Sequence, residues 1–254
     1  MIKHKNIIFL CVLLLVVLFV GKASMLFYGL LFLFFVGMTS WGSFDIRLNY
    51  FTDAKCNNPA ETSKKIALTF DDGPHEMTLQ VLDLLQHYQA KATFFCIGNQ
   101  IENHSEIFKK IIADGHEVGN HTYSHSKSFG FFSAQKVTEE IQQTDALINQ
   151  FTNKKNQLFR PPFGVTNPNV AKAIAKLKHE VIGWDIRSLD TVITDEAVIL
   201  NRIKKRMHPG GIVLMHDTSL KTVHVLEQLL LFLQTEKYEL VTVTDLLKIP
   251  THEN

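Results

Sequence analysis

The chain is predicted to be an α/β protein whose parallel strands curl into a barrel. Short apolar runs alternate with amphipathic stretches through residues 62–248, the pattern of strands joined by helical crossovers. Charged and imidazole side chains follow directly on those runs, at Asp71-Asp72, between Trp184 and Asp190, and at His216. Barrel enzymes place their reacting groups there, at the C-terminal ends of strands. About 200 residues follow Trp41, enough for one domain with a full core.

Residues 66–70 and 92–97 read as strands, with a helix over 77–88 between them. A helix over 105–113 stops at Asp114-Gly115, where glycine suits a C-cap. Ser133 caps a long helix running to about Phe151, without a capping box, since Lys136 stands at its third position. Short strands are expected near 158, 181–184, 212–215 and 239–241. Helices near 169–177, 195–206, 220–233 and 244–247 separate them.

The N-terminal region is of a different kind. Lys3 and Lys5 precede an apolar block over 7–20, Gly21-Lys22 interrupts, and a second apolar block covers 23–38. Neither block reaches the roughly 20 residues that span a bilayer upright, and together they exceed it. They lack the polar face of a surface helix. With no small-x-small site before a polar start, a retained membrane anchor over 1–43 is expected rather than a cleaved signal. A linker over 44–61 and one domain over 62–254 follow. The two lysines favour a cytoplasmic start. One long tilted crossing then carries the domain outward, and two short crossings return it.

Lys+Arg 26 against Asp+Glu 25 gives a net charge of +1, with no electrostatic footprint for nucleic acid. The 3 cysteines do not form a disulfide framework, and a Cys56–Cys96 bridge stays open.

The chemistry-bearing motifs come in a fixed order. Thr69-Phe70-Asp71-Asp72-Gly73-Pro74 sets two carboxylates at a strand end. Such neighbours repel unless a cation takes one and leaves the other as a base. The bland alternative is an Asp cap or Asx turn before the next helix. His121 and His125, four residues apart, have a spacing found among zinc ligands. Two His and one Asp make a three-ligand site with an open position, the catalytic arrangement. Arg160-Pro161-Pro162-Phe163-Gly164 joins a rigid turn to a guanidinium suited to gripping a carboxylate. Trp184-Asp185-Ile186-Arg187-Ser188-Leu189-Asp190 follows an apolar run, and 212–215 leads into His216-Asp217. Phe129-Gly130-Phe131-Phe132 reads as a lip for sugar rings or membrane, or as core.

Together these motifs resemble the polysaccharide deacetylase family, carbohydrate esterase family four, over roughly residues 62–248. The resemblance implies a distorted (β/α) barrel with fewer than eight regular units. It implies Asp71 as general base, and Asp72, His121 and His125 as ligands of a divalent metal: zinc, with cobalt, nickel or manganese as alternatives. It implies that Arg160 orients the base, that the Phe163 N–H holds the oxyanion, and that His216 is the general acid. Leu214, Pro162 and Trp184 then line the substrate pocket. The chain departs from the family at the fourth motif, where Arg187 stands for an Asp and Thr191 for a Trp. Because a family Asp from this motif partners the catalytic His, the departure puts the orientation of His216 in question. Asp190 is retained, counts among the catalytic residues, and is expected to pair with Arg160 or Arg187. Asp217 is the poorer partner for His216, since neighbouring strand residues point to opposite faces.

The implied activity is metal-dependent removal of N-acetyl groups from an amino-sugar polymer of chitin or peptidoglycan type, or from a glycolipid. Such polymers lie outside the cell, so a membrane-anchored, outward-facing envelope enzyme is expected. A binding module with a dead site is the reading from another class. An O-acetyl esterase or a cyclic-amide hydrolase on the same fold is the nearer alternative.

Overall fold

A computed structural model describes residues 3–250. Two helices come first, α1 (His4–Val20) and α2 (Met25–Phe44). They form a hairpin about Gly21-Lys22, with Lys22 in the left-handed region at φ 51°. The apolar blocks therefore fold back on each other and do not make one long span. Ile7 and Cys11 of α1 pack with Leu31, Phe35 and Met38 of α2, while Phe19, Val20 and Met25 lie exposed near the turn. By length and composition α2 is apolar enough to cross a membrane, and α1 is shorter.

The domain is built on parallel strands. In chain order they are β1 (Ala54–Lys55), β2 (Lys65–Asp71), β3 (Thr93–Cys96), β4 (Glu117–Asn120), β5 (Leu158–Phe159), β6 (Glu180–Ile182), β7 (Ile186–Arg187), β8 (Ile212–His216) and β9 (Glu239–Leu240). The sheet runs β1-β6-β5-β4-β3-β2-β8-β7, and β9 joins β2 near its start. No β1–β7 pair closes it among the described residues, so the barrel is distorted and open. Around it lie α3 (Glu76–His87), α4 (Gly98–Asn103), α5 (Ser105–Ala113), α6 (Ala134–Thr152), α7 (Pro168–Leu177), α8 (Glu196–Lys204), α9 (Leu220–Thr235) and α10 (Val243–Leu247).

The segment 44–61 contributes to this sheet: Ala54 pairs with Val181 and Asn57 bridges to Gly211. Three other elements were not visible in the sequence pattern. β4 has one β-branched residue, and its Gly119 is required because a Cβ there would lie 2.6 Å from the Phe95 ring. β7 is a two-residue pairing against β8, and α4 is only six residues long.

Alternation along the strands sorts the side chains into two cores. Ile66, Leu68 and Phe70 of β2 face outward with Val213 and Met215 of β8, against α3 and α9. Ala67, Ile212 and Leu214 face inward with Phe95, Phe159 and Trp184. The inward phase carries β2 to Asp71 and β8 to His216, which pair in register. The cysteines are free, with Cys96 buried in the outer core and Cys56 half-buried beside the inner one.

Candidate active site

Asp71 ends β2 on the inner face and is 3% exposed. The fully buried Arg160 donates from Nη1 to Asp71 Oδ1 and to Thr69 Oγ1, both at 2.7 Å. Its Nε and Nη2 donate to the carbonyls of Ile182 and Gly183, and the guanidinium lies 4.0 Å over the Phe95 ring. With its donors so engaged, the cation is fixed in place, and Asp71 keeps Oδ2 for the site.

Asp72 turns out of the strand at φ 77° and meets the two histidines. Its Oδ1 lies 3.5 Å from His121 Nε2 and 3.4 Å from His125 Nε2, and all three ligand atoms fall within 4.8 Å of one another. Two ligands bound tetrahedrally to zinc sit about 3.3 Å apart, so the spacing fits one ion among the three. Asp72 Oδ1 is buried and has no hydrogen-bond partner, as an atom awaiting a cation would be. His121 Nδ1 donates to the Arg160 carbonyl at 2.7 Å, which leaves Nε2 as the lone-pair nitrogen. Burial alone would raise the Asp72 carboxyl, but the close imidazole of His121, then the charge of His125 and His216, hold it well below the usual range. Burial lowers His125 to about 4, helped by the charge of His121. Both groups thus stand in the protonation states a metal needs.

The loop carrying the histidines is held from outside. Asn120 Oδ1 accepts from the Thr122 N–H, while its Nδ2 donates to the Ile141 carbonyl and Asp145 of α6. Glu140, 3% exposed, accepts from the Ser124 N–H and hydroxyl. Thr122 and His125 take positive φ, so the loop needs this support. Sequence reading missed Asn120, Glu140 and Asp145. Their signal lies in contacts between β4 and a helix well downstream, which local spacing does not show.

The opposite wall is His216. Its Nδ1 donates to Asp190 Oδ1 at 2.8 Å, and its Nε2 lies 3.9 Å from Asp72 Oδ2. Asp190 pairs with His216, correcting the expected pairing with Arg160 or Arg187. The reason is the Ser188–Asp190 turn: Asp190, 1% exposed, also accepts from the Ser188 hydroxyl, the His216 N–H and the Thr222 hydroxyl. Arg160 has four of its five N–H groups engaged elsewhere, and Arg187 points outward, its guanidinium 5.9 Å from the Trp184 ring. Burial would lower His216, but the hydrogen bond and charge of Asp190, with Asp71 and Asp72 behind them, raise it to about 9.

Asp217 faces away, accepting from the Thr78 hydroxyl, and burial pushes it up to about 7. Leu214 and Trp184 line the inner face, 3% and 8% exposed, and Pro162 is buried. Phe163, at φ 58° and 51% exposed, sets its ring 4.7 Å from that of His125. In the aromatic lip Phe129 is core and Phe131 is 92% exposed. Asp71, Asp72, His121, His125, Arg160, Asp190 and His216 thus meet at or beyond strand C-termini, while Leu214 lies two residues before the end of β8.

The profile of the family described as polysaccharide deacetylase matches residues 58–182. A peptidoglycan-N-acetylglucosamine deacetylase of Bacillus cereus is 36% identical, over 73% of this chain and 89% of its own. The peptidoglycan-N-acetylglucosamine deacetylase PgdA of Listeria monocytogenes is 34% identical over 74% of this chain, which spans only 40% of that longer relative. Among solved structures, a CE4 family pseudoenzyme from Bacillus anthracis superposes with a TM-score of 0.70 at 29% identity, over 77% of this chain and 69% of its own. By sequence and by fold, the chain belongs to the polysaccharide deacetylase family.

Proposed function

We propose that this chain is a metal-dependent N-deacetylase of acetylated amino sugars, held at a membrane by its N-terminal hairpin, whose two helices, each crossing in turn, would return the domain to the side of its N-terminus rather than carry it outward. The observation that carries the reading is the pairing of two carboxylates with opposite fates. Asp72 Oδ1 is buried, unpartnered and flanked by two imidazoles, while Asp71 is fixed by Arg160. Asp72, His121 and His125 would hold a divalent ion, which when bound polarises the amide carbonyl and makes water a better nucleophile at neutral pH.

The remaining steps belong to the protein. Asp71 Oδ2 takes a proton from the attacking water as its oxygen adds to the carbonyl carbon. The Phe163 N–H, by the family resemblance, donates to the oxygen that gains charge. His216, protonated near neutral pH and steadied through Nδ1 by Asp190, gives the Nε2 proton to the departing nitrogen. The C–N bond breaks, acetate leaves, and the sugar keeps a free amine. Leu214 and Trp184 offer an apolar wall for the acetyl methyl. The names of the relatives, peptidoglycan and chitin deacetylases, point to an N-acetylated amino-sugar polymer, and a glycolipid bearing the same sugar would present the same amide to the site. Zinc suits the His₂Asp donor set, and cobalt, nickel or manganese are accepted by the same ligands.

Acetate release by the full-length protein tests the proposal. Chitin oligomers, peptidoglycan fragments and acetylated xylan would be offered with zinc, with cobalt, and with a chelator. Chelator-sensitive acetate from the amino-sugar substrates is expected. Acetate from xylan alone, or none from a metal-loaded protein, would overturn it.

A further inference from the structure

The hairpin is joined to the catalytic mouth without a free linker. The Ser43 carbonyl near the end of α2 accepts from the Thr166 N–H at 3.0 Å, and Thr166 is 2% exposed. Thr166 lies three residues after Phe163, so their Cα atoms are at most about 11 Å apart. Two residues past α2, Ile46 is buried in the inner core against Gly183, whose carbonyl holds Arg160. These contacts fall just beyond the C-terminal ends of β5 and β6, on the catalytic face.

The start of α1 docks on the segment that joins α2 to β1. The His4 N–H donates to the Tyr50 carbonyl at 2.9 Å, and Lys3 forms an ion pair with Asp53. The Tyr50 ring packs on Gly42, where a Cβ would lie 2.3 Å away. The end of α2 therefore stands beside the mouth, and the start of α1 is held next to it through Tyr50 and Gly42. Helices of 17 and 20 residues extend about 26 and 30 Å from it, close to the thickness of a bilayer core.

The exposed aromatics cluster by connection on that rim. Trp41 and Phe44 end α2, at 55% and 72% exposure, as side chains of an interfacial belt do. Phe163 follows in the docked loop. The Gly130 carbonyl accepts from Asn167 Nδ2, which ties the exposed Phe131 to the residue after Thr166.

We infer that the catalytic mouth is held at the bilayer surface, and that the substrate is an N-acetylated amino sugar carried on a membrane lipid. This deepens the deacetylase reading and rests on it. A mouth fixed beside the membrane is poorly placed for a distant polymer, whereas a lipid-borne sugar meets it at a raised effective concentration by lateral diffusion. The reaction is unchanged: water adds to the amide carbonyl, the C–N bond breaks, acetate leaves, and the lipid-borne sugar keeps the amine.

The test uses the full-length protein with zinc in phospholipid nanodiscs. One substrate is a dialkyl glycoside of N-acetylglucosamine in the same discs, and the other is a soluble N-acetylglucosamine tetramer at equal bulk concentration. A rate at least ten-fold higher on the glycolipid is expected. A second protein carries ten-residue Gly/Ser spacers between His4 and Lys5 and between Trp41 and Gly42, together with Tyr50→Ala, so that neither helix is continuous with its foot. It is expected to keep its metal and its rate on the tetramer and to lose at least ten-fold on the glycolipid. Equal or faster hydrolysis of the tetramer by the native protein would overturn the inference while leaving the deacetylase reading intact, as would an unchanged glycolipid rate in the spacer protein. Acetate from neither substrate, with metal bound, would sink both.

Discussion

The two walls of the site are finished to different degrees. On one, Asp72 Oδ1 is buried without a partner and two imidazoles crowd it. On the other, Asp190 accepts from His216, Ser188 and Thr222 and nothing is left over. A buried, unpaired carboxylate oxygen costs stability unless a cation or proton meets it, whereas a fully bonded carboxylate stands by itself. The first wall is thus built to be completed from outside, and the second is complete in the chain. Mutations on the two sides should consequently change different observables.

The largest effect is expected from Asp72→Ala. It should abolish metal binding and with it all turnover, read as ions per chain by elemental analysis; one ion retained would break the ligand assignment. Asp71→Asn should keep the metal and lower kcat by about 10²–10⁴-fold, the worth of a positioned general base. Undiminished turnover there would move the base elsewhere.

Asp190→Asn separates the walls most cleanly. His216, raised to about 9, is protonated below that pH, so activity should fall as pH rises through it. A cation at Asp72 offsets the carboxylates on its own side but leaves the Asp190 contribution in place. With Asn at 190, the alkaline limb of the kcat profile should move toward the ordinary imidazole range, with full metal content and roughly 10- to 100-fold lower kcat. An unmoved limb would assign that proton to another group.

Glu140→Gln should weaken metal affinity by about ten-fold, since outer partners of a ligand loop act at that scale. A titration with unchanged affinity would make Glu140 a fold contact only.

Asp217 gives the smallest and most independent effect. Its pKa is raised to about 7 by burial, so the folded chain holds a proton that the unfolded chain releases near 4. Stability should therefore decline from about pH 4 through about pH 7 as that proton is lost. Asp217→Asn should flatten the decline, measured by urea unfolding across this range. The same slope in the variant would mean that other groups set it.

Legibility in the sequence followed the same division. The Asp72 wall comes from two local signals, Asp71-Asp72 at a strand end and His121-His125 at fixed spacing, so spacing alone points to it. The His216 wall depends on Asp190 reaching His216 from beyond β7, through a turn with Leu189 at φ 62°. Nothing in the local pattern distinguishes that partner from Arg160 or Arg187. The barrel itself was readable because β2, β3 and β8 are apolar runs. β4 and β7 were not, since pairing with neighbours rather than their own composition makes them strands. The apolar blocks were visible as membrane-like, but their folding into a hairpin rests on the Gly21-Lys22 turn and on packing of Ile7 and Cys11.

The most direct measurement is anomalous X-ray scattering from crystals of the full-length protein grown with zinc or cobalt. One ion is expected about 2.0–2.2 Å from Asp72 Oδ1, His121 Nε2 and His125 Nε2, with Asp71 still on Arg160 and His216 still on Asp190. A metal-soaked crystal with no ion there, or with the ion bound by Asp71 and Asp72 displaced, would contradict it.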